Sequence, residues 1–67
     1  MKGAFNLKIN NMPDYAWRHK FIVYRIAENG ETWFFGAYDE TSKALSAMME
    51  VNGSIAAIED VEEYTNA

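Results

Sequence analysis

The side chains that could perform chemistry in this sequence are one histidine, a group of acids near the C-terminus and several aromatic residues around one arginine. His19 stands between Arg18 and Lys20, with no serine, threonine or cysteine beside it, whereas nucleophilic catalysis needs a nucleophile held against a base. No glycine-rich phosphate loop precedes a helix. The chain contains no cysteine, so neither a disulfide nor a Cys/His zinc site is available. We therefore predict that the protein is not an enzyme and binds no cofactor.

The acids near the C-terminus are Glu59, Asp60, Glu62 and Glu63. Carboxylates grouped in this way can gather a hard cation, but these four lack the spacing of oxygen ligands found in a calcium loop. We therefore expect no metal here, and we interpret the group as a solvated acidic surface that a basic partner could contact.

Charge is distributed unevenly along the chain. Residues 1–25 contain five Lys/Arg and one acid, a net +4, whereas residues 26–67 contain one Lys and nine acids, a net −8. An acidic surface disfavours nucleic acids and anionic membranes and favours basic proteins. No apolar run approaches the roughly 20 residues that cross a bilayer, and the N-terminus lacks the apolar core of a secretory signal. We therefore expect a cytoplasmic protein with a protein partner and no membrane contact.

The chain predicts a β-hairpin preceded by a short strand. Residues 4–10 alternate apolar and polar side chains, which is typical of a strand with one wet face, and a turn-rich stretch around Pro13 follows. Residues 17–28 and 32–38 are rich in β-branched and aromatic types. Between them, Asn29 and Gly30 favour the two positive φ angles of a two-residue type I′ turn. The spacing predicts a hairpin over residues 20–38.

A helix and a further segment follow the hairpin. Asp39 is a candidate N-cap, apolar residues then recur at helical spacing to about Asn52, and Gly53 is suited to end the helix. Residues 54–59 fit either a strand or a short helix, and we favour the strand because it would complete the sheet. The predicted fold is α+β over residues 1–67, a single domain. It has a mainly antiparallel sheet of three to four strands with the hairpin central, and one helix at about residues 40–52 packed on one face.

The predicted turn sorts the hairpin into two faces. The Ile22 face is an unbroken apolar block made of Ile22, Tyr24, Ile26, Trp33, Phe35 and Ala37. The Phe21 face is interrupted, and it is made of Phe21, Val23, Arg25, Ala27, Thr32, Phe34, Gly36 and Tyr38, extended by Trp17 and His19. Burying Arg25 without a partner would cost several kcal/mol. We therefore expect the helix to cover the Ile22 face and the Phe21 face to point outward.

An outward aromatic face would be a contiguous apolar patch, which monomers rarely expose unless it binds something. The candidate interaction surface consists of Trp17, Phe21, Arg25, Phe34 and Tyr38 together with Glu59, Asp60, Glu62 and Glu63. Four alternatives remain for what covers this surface: a protein partner, a second copy in a homodimer, a lid formed by residues 12–16, or stacked nucleic-acid bases. Direct nucleic-acid binding is disfavoured by the isoelectric point near 4.7.

The run FIVYRIAENGETWFFGAYDETSKALSAM, followed after Gly53 by Ile55 and Ile58, resembles small uncharacterised ββαβ proteins encoded in bacterial prophages and mobile elements. The shared features are Trp-Phe and Gly-x-Tyr in the hairpin, an acidic helix start and an alanine-rich helix, over about residues 20–60. The resemblance implies a phage-type accessory protein, a class that includes acidic inhibitors of host defence such as anti-CRISPR proteins. The resemblance transfers no site residues, and the partner that we expect from the acidic charge is a basic, nucleic-acid-binding host protein.

Overall fold

The structure, a computed structural model, describes residues 7–62. Its sheet contains three antiparallel strands in the order β2-β1-β3, with bounds β1 (Phe21–Ile26), β2 (Thr32–Tyr38) and β3 (Ser54–Ala57). One helix, α1 (Thr41–Val51), packs against this sheet. The α+β fold predicted from the sequence is confirmed. The favoured strand is present over residues 54–57, but residues 58–60 form a 3-10 helix instead of continuing it. Within residues 7–62, no helix has both the length and the apolar character needed to cross a membrane.

The hairpin contains a β-bulge that the sequence did not reveal. Phe21 pairs with Tyr38 as predicted, but the pairing shifts between Val23 and Tyr24, so that Tyr24 lies opposite Phe34 and not opposite Phe35. A bulge places one extra residue on one strand and changes which side chains share a face beyond it. The predicted faces therefore hold only for the half of the hairpin away from its loop.

The cause of the shift is a three-residue loop in place of the predicted two-residue turn. Ala27 N–H donates to the Glu31 carbonyl at 2.7 Å, and Gly30 N–H donates to the Ala27 carbonyl at 2.9 Å. Gly30 has a φ of 89°, whereas Asn29 is not among the residues with positive φ. This is a type I turn closed by a left-handed glycine, which is the next commonest hairpin loop.

We predict that Gly30→Ala destabilises the protein by about 1 kcal/mol, because a Cβ is strained at this φ although it would meet no neighbouring atom. Asn29→Ala should cost about half as much, since it removes only the exposed hydrogen bond from Glu31 N–H to Asn29 Oδ1 at 3.0 Å. Urea denaturation measures both. Equal and large losses would instead indicate the type I′ turn, in which both residues have positive φ.

The helix packs on the Phe21 face, so the sequence-based assignment to the Ile22 face is wrong. Val23, Ala44 and Ala47 form one buried cluster, and Phe21 and Tyr38 pack against it. The small side chains of the two alanines allow the helix to approach the sheet closely.

Arg25 does not obstruct this packing, because the helix covers only part of the hairpin. The helix ends at Val51, and Gly53 already lies against the backbone of Tyr24. Arg25 lies beyond this point in β1 and remains exposed. The desolvation cost that we assigned to covering the Phe21 face therefore does not arise.

The Ile22 face is covered by the segments that precede β1 and follow β3 in the sequence. Ile22 is fully buried in a second cluster with Ile9, Ala16 and Val61. Residues 7–10 make isolated parallel bridges, Leu7 to Val61 and Asn10 to Trp33, rather than the predicted strand, whose residues 4–6 lie outside the described residues. A 3-10 helix at Asp14–Arg18 follows them. The segment around residues 12–16 is thus a lid, but it lies on the Ile22 face and not on the Phe21 face, where a lid was one of the open alternatives.

Both ends of the helix differ from the sequence prediction. Glu40, not Asp39, occupies the N-cap position and makes no side-chain cap hydrogen bond. Asn52 takes the left-handed conformation with φ 55° and ψ 44°, which the sequence suggested for Gly53. Gly53 is required for a different reason, because a Cβ there would collide with the carbonyl oxygen of Tyr24.

Candidate protein-interaction site

The aromatic residues predicted to form one outer surface are divided between the two faces. Phe21 and Tyr38 pack under the helix, whereas Phe34 and Trp17 pack on the opposite side, in the cluster around Ile22. Trp17 belongs to the 3-10 helix and not to the hairpin. The prediction of a shared aromatic face is therefore wrong, because the bulge moved Phe34 to the other face and each face has its own cover.

The acidic residues of the candidate surface lie around the second 3-10 helix, Ile58–Asp60. Glu59 is exposed, and Asp60 and Glu62 are half-buried beside Leu7, whose N–H donates to the Asp60 carbonyl at 3.1 Å. Glu63 lies outside the described residues. Within residues 7–62, no group of three or more His, Cys, Asp or Glu side chains is placed to hold a metal ion.

Trp17 and Glu62 do come together, in a polar groove of about 420 Å³. Its lining residues come from the N-terminal segment, the lid and the end of the described chain: Ile9, Asn11, Met12, Pro13, Asp14, Trp17 and Glu62. Two residues of the candidate surface, Trp17 and Glu62, therefore line the same groove, although the sequence placed Trp17 on a strand.

His19 has a structural contact in this fold. Its Nδ1 lies 3.2 Å from Asp39 Oδ2, and Asp39 Oδ1 accepts the Lys20 N–H at 3.2 Å. The ring of Tyr15 meets the imidazole edge-on, with centroids 6.3 Å apart. These contacts connect the start of β1 to the residues before α1, and they explain why Asp39 does not cap the helix.

Several large apolar side chains remain exposed although both faces of the sheet are covered. They fall on three elements: the lid, the hairpin and the helix. They are Tyr15, Ile26, Trp33, Phe35, Leu45 and Met49. The three on the hairpin belong to the block that the sequence assigned to the core.

The end of the hairpin forms a shallow pocket of about 160 Å³ lined by Arg25, Ile26, Ala27 and Trp33, which we call the hairpin-end site. Ile26 is 58% exposed and Trp33 is 43% exposed. Arg25 and Trp33 are directly opposite each other in the strand pairing. Arg25 is exposed and makes no ion pair with any residue in the range 7–62. Arg25 and Trp33 therefore project from the same face of the sheet, and Ile26, the next residue of β1, is exposed at the same end of the hairpin on the other face.

The backbone beneath the hairpin-end site is firmly held. Asn10 N–H donates to the Thr32 carbonyl at 2.8 Å, and Phe34 N–H donates to the Asn10 carbonyl at 3.0 Å, so Trp33 is fixed on both sides. The hydroxyl of Thr32 also donates to the carbonyl of Lys8. A site that is rigid before binding loses less conformational entropy when a partner is bound.

Sequence reasoning missed this site because it assigned Ile26 and Trp33 to the core. One signal was available, since an 11-residue helix is about 16 Å long and cannot cover a hairpin whose strands continue past its end. The loop glutamates Glu28 and Glu31, both exposed, border the site and give its rim an acidic character.

Comparison with known proteins adds no assignment: no family model, curated protein or solved structure matches this chain.

Proposed function

We propose that this protein is a non-enzymatic interaction module that binds a basic protein through the hairpin-end site. The observation that carries the proposal is the exposure of Trp33 beside Arg25, with Ile26 also exposed at this end of the hairpin, in a small domain whose sheet is otherwise covered on both faces. Tryptophan and arginine are enriched among the residues that dominate binding energy at protein interfaces.

Charge supports a basic partner. The chain has a net charge of −4, and Glu28 and Glu31 lie exposed in the hairpin loop beside the site. Complementary charge at the rim of an interface accelerates association and excludes acidic competitors. Together with the resemblance to prophage-encoded proteins, this favours a phage-type accessory protein that inhibits a nucleic-acid-binding protein of its host.

The alternative function, stacking of single-stranded nucleic acid on the sheet, is less well supported, because the aromatic rings proposed for it do not share one open face. Base stacking needs aromatic rings side by side on an open face. Phe21 and Tyr38 pack beneath the helix, and Phe34 contacts the ring of Tyr15 edge-on at 6.4 Å between centroids. We therefore give the protein partner precedence.

We predict that the double substitution Ile26→Ser/Trp33→Ala abolishes partner capture while the protein stays folded. The two side chains are exposed, so the free energy of unfolding should fall by only about 1 kcal/mol. Loss of an aromatic anchor typically costs 2 kcal/mol or more of binding, which is about a thirtyfold loss of affinity. Affinity capture from a bacterial lysate, followed by mass spectrometry, measures the effect.

The matched control is Leu45→Ser/Met49→Ser, which also removes two exposed apolar side chains, but from α1. We expect this variant to capture the same basic protein as the wild type, with capture weakened by added salt and competed by an oligonucleotide. Equal capture by wild type and the Ile26/Trp33 variant would contradict the assignment of the site. Direct binding of the purified protein to the oligonucleotide would contradict the choice of partner.

A further inference from the structure

The two outer edges of the sheet differ in how they are protected. At the β2 edge, Asn10 occupies the backbone groups of Thr32 and Phe34, and the bulge interrupts the strand. On the outer side of β3, away from β1, no strand within residues 7–62 pairs with it. Charged residues, proline and bulges usually keep an edge strand from pairing with another chain. β3 contains none of them.

The pairing of β3 with β1 defines which backbone groups face outward. Ile58 N–H donates to the Lys20 carbonyl at 2.9 Å, continuing the pairing of Ala56 with Ile22. Residues in an antiparallel strand direct their backbone groups alternately to one neighbour and the other. Ala56 is therefore bonded to β1, and the N–H and C=O groups of Ile55 and Ala57 point away from it.

An apolar groove runs along this edge. Its volume is about 350 Å³, and its lining residues are Leu7, Tyr24, Ile55, Ala56, Ala57 and Asp60. The side chains of a strand project above and below the sheet, so they leave another backbone free to approach this edge to the distance of a neighbouring strand, about 4.8 Å.

We propose that the occupant of this edge is a second copy of the chain, which pairs β3 with β3 in antiparallel orientation about a two-fold axis at Ala56. In this arrangement Ile55 of one protomer lies opposite Ala57 of its partner, and the outward backbone groups of these residues form four hydrogen bonds. The large side chain meets the small one on each side of the axis. The two three-stranded sheets become one continuous sheet of six strands.

Charge and symmetry favour a second copy over an unrelated peptide. The paired segment is uncharged, and in this alignment Asp60 and Glu59 lie opposite Asn52 and Gly53 of the partner, so no acids oppose each other. The dimer pairs the open β3 edge of one protomer with that of the other, and the β2 edges, where Asn10 is bonded, form the two ends of the sheet. A four-residue strand buries little surface, so the dimer should be in equilibrium with the monomer.

Sedimentation velocity tests this dimer over a range from about ten micromolar to about one millimolar, the range of weak interfaces. We expect the mass of the wild-type chain to rise from 7.7 kDa towards twice that value. Ala57→Pro should remain at 7.7 kDa throughout, because proline deletes the outward N–H. The backbone tolerates the change, since Ala57 already has a φ of −70°. Ala57→Ser keeps the N–H and should dimerise like the wild type.

Amide hydrogen exchange of the wild-type chain provides a second test that needs no substitution. The amide protons of Ile55 and Ala57 should exchange more slowly as the protein concentration rises, while the exchange of Ala56, bonded within the monomer, should not change. A wild-type mass of 7.7 kDa at the highest concentration would overturn the proposal, as would a folded Ala57→Pro variant that still dimerises. Exchange at Ile55 and Ala57 that is independent of concentration would overturn it as well.

Discussion

Replacing Ile22 by alanine is expected to remove a large share of the free energy of unfolding, whereas the same replacement at Ile26 leaves it nearly unchanged. Both residues are isoleucines of β1, and the sequence assigned both to one apolar face. Ile22 is 0% exposed, within the cluster of Ile9, Ala16 and Val61, whereas Ile26 is 58% exposed.

The expected magnitudes follow from burial. Truncation of a buried isoleucine to alanine typically costs about 2 to 5 kcal/mol, because apolar contacts are lost and a cavity remains. By the usual stability per residue, a chain of this length has roughly 3 to 10 kcal/mol in total. Ile22→Ala therefore removes a large share of it, and Ile26→Ala should cost less than about 1 kcal/mol. Urea denaturation followed by circular dichroism measures both, and equal losses would contradict the described cover over the Ile22 face.

Replacing Gly53 by alanine is expected to be the second most damaging change. A Cβ at this position would collide with the carbonyl oxygen of Tyr24 and would lie 3.2 Å from Cγ2 of Val51. The Tyr24 oxygen belongs to the backbone of β1, which the other two strands hold in place. Gly53 N–H also donates to the Met48 carbonyl at 2.9 Å, so the turn cannot move aside without losing this bond. We expect a loss of about 2 to 3 kcal/mol in the free energy of unfolding.

The control for this prediction is Gly36→Ala. A Cβ at Gly36 would meet the hydroxyl of Tyr38 and would lie 2.8 Å from its Cε2, so the end of this half-buried side chain must shift, but no backbone has to move. The expected loss is about 1 kcal/mol. Thermal denaturation compares the two variants directly. If Gly36→Ala were the more destabilising change, the close approach of Gly53 to β1 would not be the constraint that we describe.

Local signals in the sequence predicted the elements of the fold well. The β-branched and aromatic runs around Asn29 and Gly30 predicted a hairpin, and the apolar spacing from Ala44 to Val51 predicted the helix. These signals depend on neighbours within a few residues, which the sequence displays. The strand at residues 54–57 was a choice between two alternatives, and it rested on the need to cover the edge of the hairpin.

The covers of the two faces could not be predicted, because they depend on distant segments. A three-residue loop and a two-residue turn use the same Asn-Gly pair, and the difference moves Phe34 from one face to the other. The choice of face by the helix depended on how far α1 extends along β1, and Arg25 lies beyond its end. The burial of Ile9 and Val61 brings together residues near opposite ends of the chain, which no local pattern indicates.

The candidate site was missed for the same reason, because the sequence does not show which part of the apolar block is covered. An unbroken apolar block is normally a core, and Ile26 and Trp33 were assigned to it for that reason. The described fold uses only the half of the block near Ile22, Ala37 and the lid, and leaves the half near the loop exposed. We therefore place the proposed binding surface at the hairpin end, which contains Arg25 of the predicted surface, and not on the Phe21 face as a whole.

Photo-crosslinking from the hairpin end is the most direct test of the proposed function. A benzophenone amino acid replaces Glu28, which is exposed in the hairpin loop beside the site, in one variant and Met49 in the control, and each protein is produced and irradiated in bacterial cells. We predict a covalent adduct with a basic, nucleic-acid-binding protein from position 28 and none from position 49. An adduct from position 49 alone, or no adduct from position 28, would contradict the account.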